Sequence, residues 1–388
     1  MDIEKLRAGI PAVQRCTYLN CGTYGPLPTV VADELVRWYR RIETEGSYAF
    51  EVTHDLYEAY QATRVAAAAL IHADEAEVTL TRNVSEGVNI VANGLTWQPG
   101  DEVIITNEEH PGGAMPWFNL RNRQGIVVKL LPLVYDTGSV LERLEQLMTP
   151  RTRLVYVSHV SCMSGVRLPV TEICELGRQR GVMVMLDGAH SVGQFPVDVH
   201  ALGCDFYAAC GHKWLCGPQG TGFLYIRRDR LPHVAPTFVG WGSNEHYDLE
   251  EMVYEPWPDG RRFEFGTRPW PLYPALKVAI ERIQALDPAE IERVIAPMVA
   301  SLKQALLRVP GLTLHSPCDQ SLSSGLVAFT HQGPADLGER LWKEHRILVS
   351  HNPDKRWIRL AVNAYILPEE LDRLVELLHW YLQGSEGS

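Results

Sequence analysis

The sequence has no Cys-x-x-Cys pair, no apolar run long enough to cross a membrane and no surplus of positive charge. Each absence removes a class of function. The eight cysteines are scattered at positions 16, 21, 162, 174, 204, 210, 216 and 318. That spacing offers neither a zinc-ribbon ligand set nor a disulfide framework, and it fits reduced thiols, with no metal expected. The opening residues, Met1-Asp2-Ile3-Glu4-Lys5-Leu6, lack the apolar core of a secretory leader, so a cytoplasmic location and no membrane partner are expected. Lys plus Arg number 36 against 47 Asp plus Glu, a net charge of −11 that disfavours nucleic acid. Repeats and low-complexity segments are also missing. What remains is an ordinary globular composition: 388 residues, 46% hydrophobic and 21% charged, enough for a large core and two domains.

Strand-length apolar runs alternate with helical patterns along most of the chain. Val78–Thr81, Asp101–Thr106, Ile126–Leu131, Arg153–Ser158, Val182–Leu186, Cys204–Cys210 and Gly222–Arg227 read as strands. Residues 29–41, 54–71, 139–148 and 169–180 read as helices. Buried apolar strands separated by helices predict a mostly parallel sheet covered on both faces. Residues 230–268 are rich in Trp, Pro and Gly and read as loop-rich. Beyond them the pattern becomes α+β: helices from Pro274 and Pro288, strands at 312–314, 326–330, 347–349 and 357–362, and helices at 335–345 and 368–382. The Gly384–Ser388 tail is expected to fray. The expected architecture is thus an α/β large domain over 26–264, with a small α+β domain built from 1–25 and 265–388.

The chemistry concentrates around Gly211-His212-Lys213-Trp214, which follows a strand. A lysine beside another potential cation and partly desolvated loses proton affinity and becomes a usable amine nucleophile. Its natural partner is an aldehyde cofactor, above all pyridoxal phosphate; the competing reading is a buried stem with its head in water. Asp187 ends another strand 26 residues earlier, followed by Gly188-Ala189-His190. A carboxylate there suits a protonated pyridine nitrogen, although it also suits a helix N-cap. Asn83-Val84-Ser85 opens a helix and offers an anion site, or only an ordinary cap. His110, at a strand end, either stacks on a planar group or caps the next helix. The Gly/Pro-rich turn Cys21–Pro28 must pass close to something. Gly217–Gly222 lacks the Lys-Ser/Thr of a phosphate-binding loop, so a nucleotide reading fails.

Asn83-Val84-Ser85, Glu109-His110, Asp187-Gly188-Ala189-His190, Gly211-His212-Lys213 and Phe265-Gly266-Thr267, in this order, resemble the class V aminotransferase family of fold-type I enzymes dependent on pyridoxal 5'-phosphate (PLP). The similarity spans nearly the whole chain and leans towards the cysteine desulfurase, cystine C–S lyase and isopenicillin N epimerase branches. It implies a Lys213 aldimine, Asp187 on the pyridine nitrogen, and His110 stacked on the ring. His190 would contact the phenolate oxygen, and Asn83, Val84, Ser85 and His212 the phosphate. Cys210 replaces a phosphate-binding serine of many relatives. Thr267 would reach the phosphate of the neighbouring subunit, which implies a homodimer. Arg359 would bind the α-carboxylate of a small amino-acid substrate, and Tyr24 and Trp241 would lie in the substrate-binding loops.

One departure is informative. Desulfurases of this group carry a catalytic cysteine shortly before the carboxylate-binding arginine, and Val349–Trp357 contains none. The resulting expectation is elimination of sulfur from Cβ, with epimerisation or transamination as alternatives and desulfuration disfavoured.

Overall fold

The computed structural model describes residues 1–383. The expected frayed tail, Gly384–Ser388, lies outside them. A seven-stranded sheet forms the centre. Its strands in chain order are β1 (Val78–Thr81), β2 (Glu102–Thr106), β3 (Val127–Leu131), β4 (Thr152–Ser158), β5 (Met183–Asp187), β6 (Phe206–Cys210) and β7 (Gly222–Ile226). Across the sheet they run β1-β7-β6-β5-β4-β2-β3. All pairings are parallel except those of β7, which runs antiparallel to both β6 and β1. A strand antiparallel to two neighbours leaves those neighbours parallel to each other. The C-terminal ends of β1 to β6 therefore share one edge, where ligands of such sheets gather.

The strands are apolar on both faces because both faces are covered. Val103, Ile105, Leu154, Tyr156 and Met185 point towards helices α1 (Val84–Gly94) and α2 (Pro111–Gln124), whose Val88, Val91, Trp117 and Leu120 complete one core layer. The intervening Ile104, Val155, Val157, Val184 and Leu186 face the other way. There they join a second layer that continues unbroken into the C-terminal part, through Leu326, Phe329, Ile358, Leu360, Leu374 and Leu378.

The C-terminal part carries its own antiparallel sheet: Leu312–Leu314, Leu326–His331, Trp357–Ala361 and Ser350–Asn352, in that spatial order. The chain start is tied to it. Thr17–Tyr18 pairs in parallel with Ile347–Leu348, and Asn20 bridges to Ala361. These ties hold the turn at Gly22–Gly25 against the edge of the large sheet.

One element was not foreseen and one expectation needs correcting. The loop-rich residues 230–268 also hold an antiparallel hairpin, Asn244–Asp248 with Val253–Pro256. Most of its side chains are exposed, so no apolar alternation marks it. The single strand expected at 347–349 is two. Ile347–Leu348 pairs with the N-terminal segment, and Ser350–Asn352 joins the C-terminal sheet.

Candidate active site

The strand ends and the N-terminal turn enclose a cavity of ≈ 310 Å³ lined by Gly22, Thr23, Tyr24, Asn83, Val84, Ser85, His110, Gly112, Gly113, Asp187, Ala189, His190, Cys210, His212, Lys213 and Arg359. Residues separated by hundreds of positions meet there because the parallel strands end on one side and the N-terminal turn and small sheet pack against that edge.

Lys213 follows β6 in a turn that needs little side-chain volume. A Cβ at Gly211 would fall 2.3 Å from Thr221 Oγ1, and one at Gly25 would fall 2.1 Å from the Lys213 carbonyl. Gly25 also donates its N–H to the His212 carbonyl at 2.7 Å. The Gly/Pro-rich N-terminal turn thus passes against the lysine backbone itself. Lys213 Nζ lies 3.1 Å from His190 Nε2. His190 is buried, and its Nδ1 accepts from Trp214 Nε1–H at 3.3 Å. Burial, followed by the nearby charges of Lys213, Arg359, His110 and His212, holds His190 well below the usual imidazole range.

Asp187 ends β5 and is buried. Tyr156 Oη donates to its Oδ2 at 2.8 Å, and the Ala189 N–H to its Oδ1 at 2.9 Å. Tyr156 can reach it because both side chains leave the same face of neighbouring strands, where Tyr156 is level with Met185, two residues before Asp187. Beside it Glu109 accepts from Thr106 Oγ1, Ser158 N and Ser158 Oγ. Burial, and to a lesser degree the charge of Asp187, pushes the Glu109 carboxyl up to about 7.

The α1 start faces the cavity with backbone donors that have no helical acceptor. Asn83 caps it, its Oδ1 accepting from Glu86 N at 2.9 Å, so this side chain is committed to the helix. The backbone N–H groups at Val84 and Ser85 stand in the first turn, where a helix has no internal acceptors. Ser85 Oγ is kept reachable by Gly112, where a Cβ would sit 2.4 Å away. His212 has a buried Nδ1 without a protein partner, and burial followed by Lys213 lowers it to about 4. Cys210 is buried, its thiol pushed up to about 11 by burial. His110 caps α2, Nδ1 accepting from Gly112 N at 3.0 Å, while its ring stands exposed at the cavity mouth.

Arg359 projects from the small sheet. Its Nη1 donates to the Cys162 carbonyl at 2.6 Å and its Nη2 to Thr23 Oγ1 at 3.3 Å, while Nε has no partner. The guanidinium is only 8% exposed, and among the described residues none of these partners is a carboxylate. A buried cation without a counter-charge is a site for an anion.

All the residues expected at the site line this cavity except Trp241 and Thr267. Trp241 is exposed and packs near Trp270, with ring centroids 6.4 Å apart. Thr267 is exposed on the surface of the chain. Tyr156, Thr23 and Gly112 were not foreseen. Tyr156 sits inside an apolar strand, and its only signal was a buried phenol in need of a partner.

Among the described residues no cluster of His, Cys, Asp and Glu has the makings of a metal site, and no helix is long and apolar enough to cross a membrane. Residues 17–351 match the Aminotransferase class-V family. The isopenicillin N epimerase of Streptomyces clavuligerus is 32% identical, covering 97% of this chain and 98% of that protein. The cysteine desulfurase of Pectobacterium atrosepticum is also 32% identical, over 96% of each. Among solved structures, the cystine C–S lyase C-DES in complex with its product cysteine persulfide superposes with a TM-score of 0.90 at 31% identity, covering 96% of this chain and 99% of that one. A second C-DES structure, also at a TM-score of 0.90, holds glycine covalently linked to PLP. The family match covers every strand of the large sheet, and the chain belongs to the class-V aminotransferase family.

Proposed function

We propose that this PLP-dependent enzyme cleaves the Cβ–S bond of a cysteine- or cystine-like amino acid by elimination. The donor set of the cavity fits the cofactor. Lys213 offers the amine for its aldehyde, Asp187 a carboxylate for its ring nitrogen, and the α1 start with Ser85 and His212 an anion site for its phosphate. When bound, PLP supplies an electron sink conjugated to the substrate Cα. The protein supplies the rest. Arg359, whose guanidinium has no carboxylate partner among the described residues, would grip the α-carboxylate and so fix the orientation of the substrate amine. Lys213 would take the proton from the substrate Cα. Asp187, steadied by Tyr156 and Ala189, would hold the ring nitrogen.

The observation that favours elimination over persulfide-forming desulfuration is the state of the cysteines. Burial pushes Cys21, Cys162 and Cys210 up to about 11, so the thiols around the cavity are protonated and poor nucleophiles. The turn before Arg359 brings no cysteine, and Cys318 lines a separate cavity with Lys303. Sulfur would then leave with the electron pair of the Cβ–S bond, while the pair released at Cα forms the Cα–Cβ double bond, rather than transfer to the protein.

Thr267 and the exposed Phe238 and Trp241 support a homodimeric reading, in which Thr267 serves the neighbouring site. A groove lined by Phe238 and Phe265 adjoins the cavity and shares Asn83 and Ser85 with it.

The test is one panel: cystine, cysteine and other amino acids, assayed together for pyruvate, sulfide, keto acid and inversion at Cα. Pyruvate released with sulfide or persulfide supports elimination. Inversion without pyruvate would assign an epimerase, and keto acid retaining the side chain a transaminase. Lys213→Ala abolishes turnover and Asp187→Ala reduces it severely if the roles are right. For the dimer, Thr267→Ala should weaken cofactor binding, and sedimentation should give twice the chain mass.

A further inference from the structure

We propose that Trp214 is a positioning residue: its indole N–H holds His190 as the Nε2–H tautomer, and His190 in turn favours the unprotonated, nucleophilic form of Lys213. This rests on the reading of Lys213 as the cofactor amine. Indole Nε1–H is a donor only, so the His190 Nδ1 facing it at 3.3 Å must accept. A neutral imidazole with Nδ1 accepting carries its proton on Nε2. That nitrogen lies 3.1 Å from Lys213 Nζ. Two N–H groups facing each other make no hydrogen bond. The contact is favourable only when Nζ turns a lone pair towards His190.

The arrangement is fixed on every side. Trp214 is 1% exposed, and its Cη2 lies so close to Gly325 that a Cβ there would fall 2.7 Å away, so the indole has little room to turn. Gln194 couples the two walls: its Nε2 donates to the His190 carbonyl at 2.7 Å and its Oε1 accepts from Gly325 N at 2.6 Å. The charged and titratable groups around His190 favour its neutral form. Lys213 and His212 come from its own edge of the sheet, His110 from the α2 start and Arg359 from the small sheet. Asp187, at the end of β5, has its two oxygens engaged by Tyr156 and Ala189.

The test uses the full chain. In cofactor-free protein with isotope-labelled histidine, nitrogen NMR identifies His190 as the resonance lost in His190→Gln. The wild type should show the Nε2–H tautomer throughout the neutral range, and Trp214→Phe a mixture or the Nδ1–H form. The rate of covalent capture of pyridoxal phosphate against pH then reports the lysine. Its midpoint should rise by about one pH unit in Trp214→Phe, the scale of one lost hydrogen-bond preference. The same substitution in a His190→Gln background should give no further rise, since an amide has no tautomer to select. An Nδ1–H tautomer in the wild type overturns the proposal, and it is read without altering Trp214. An equal rise in the His190→Gln background overturns it too. Failure of every form to capture pyridoxal phosphate overturns the role of Lys213, and the NMR result separates that failure from this one.

Discussion

At the scale of single residues, charge without a protein partner carries the functional argument. Arg359 is buried, has no carboxylate among its contacts, and leaves Nε free. Removing it should raise the apparent substrate constant about 100-fold, the usual cost of losing one member of a buried hydrogen-bonded charge pair. Steady-state kinetics of Arg359→Ala checks this, and an unchanged constant removes the residue from the site. Steric room is the second lesson at this scale. A Cβ on Gly113 would lie 1.8 Å from Tyr156 Oη, the group that holds Asp187. Gly113→Ala should destabilise the fold by about 1–3 kcal/mol through overpacking, and should also loosen cofactor binding by shifting Tyr156. Thermal unfolding with and without PLP separates the two effects. An unchanged gain in Tm from the cofactor would show that Tyr156 does not steady Asp187.

At the scale of elements, the helix start proposed to hold the phosphate owes its register to one cap. Asn83 Oδ1 satisfies Glu86 N, which leaves the earlier N–H groups of α1 for a ligand. Asn83→Ala should cost about 1 kcal/mol of stability and weaken phosphate-dependent binding, read as a lower affinity for PLP with little change for pyridoxal. Much at this scale was legible. Val182–Leu186 is apolar throughout because it is buried on both faces, and that pattern gave a strand ending in Asp187. The hairpin at 244–256 was not legible, because its exposed side chains carry no alternation. The reversal of β7 was not legible either, since an apolar run reads the same in both directions.

At the scale of the whole molecule, several buried imidazoles make the fold sensitive to acid. Burial is the first cause in each case. It lowers His159 from an ordinary 6.5 to about 3 and His212 and His331 to about 4, and it holds His190 well below the same value. Their folded values lie below the unfolded one. The unfolded chain therefore binds more protons below 6.5, and stability is lost as pH falls through the folded values. Glu109 has the opposite sign. Its carboxyl is raised from 4.5 to about 7, so its contribution is full below 4.5 and fades as pH rises through 7. The histidines outnumber it, and the urea midpoint should fall steadily from about pH 6.5 to about pH 4. His331→Gln should make that decline shallower. A flat midpoint over this range would mean that these rings are already charged in the folded protein.

The sequence alone determined the kinds of group present and the local element that carries each: Lys213 after a strand, Asp187 at a strand end, Asn83 at a helix start, Arg359 in the α+β region. These follow from periodicity, turn chemistry and short motifs, which act over a few residues. Only the tertiary structure decided which of them meet. Sheet order put six strand ends on one edge, the N-terminal turn closed over Lys213, and Trp241 and Thr267 fell outside the cavity of their own chain. The same structure set Tyr156 against Asp187 and Trp214 against His190. Those contacts depend on which strands neighbour each other and on where a buried donor finds its acceptor, and such long-range pairings leave no periodic mark in the chain.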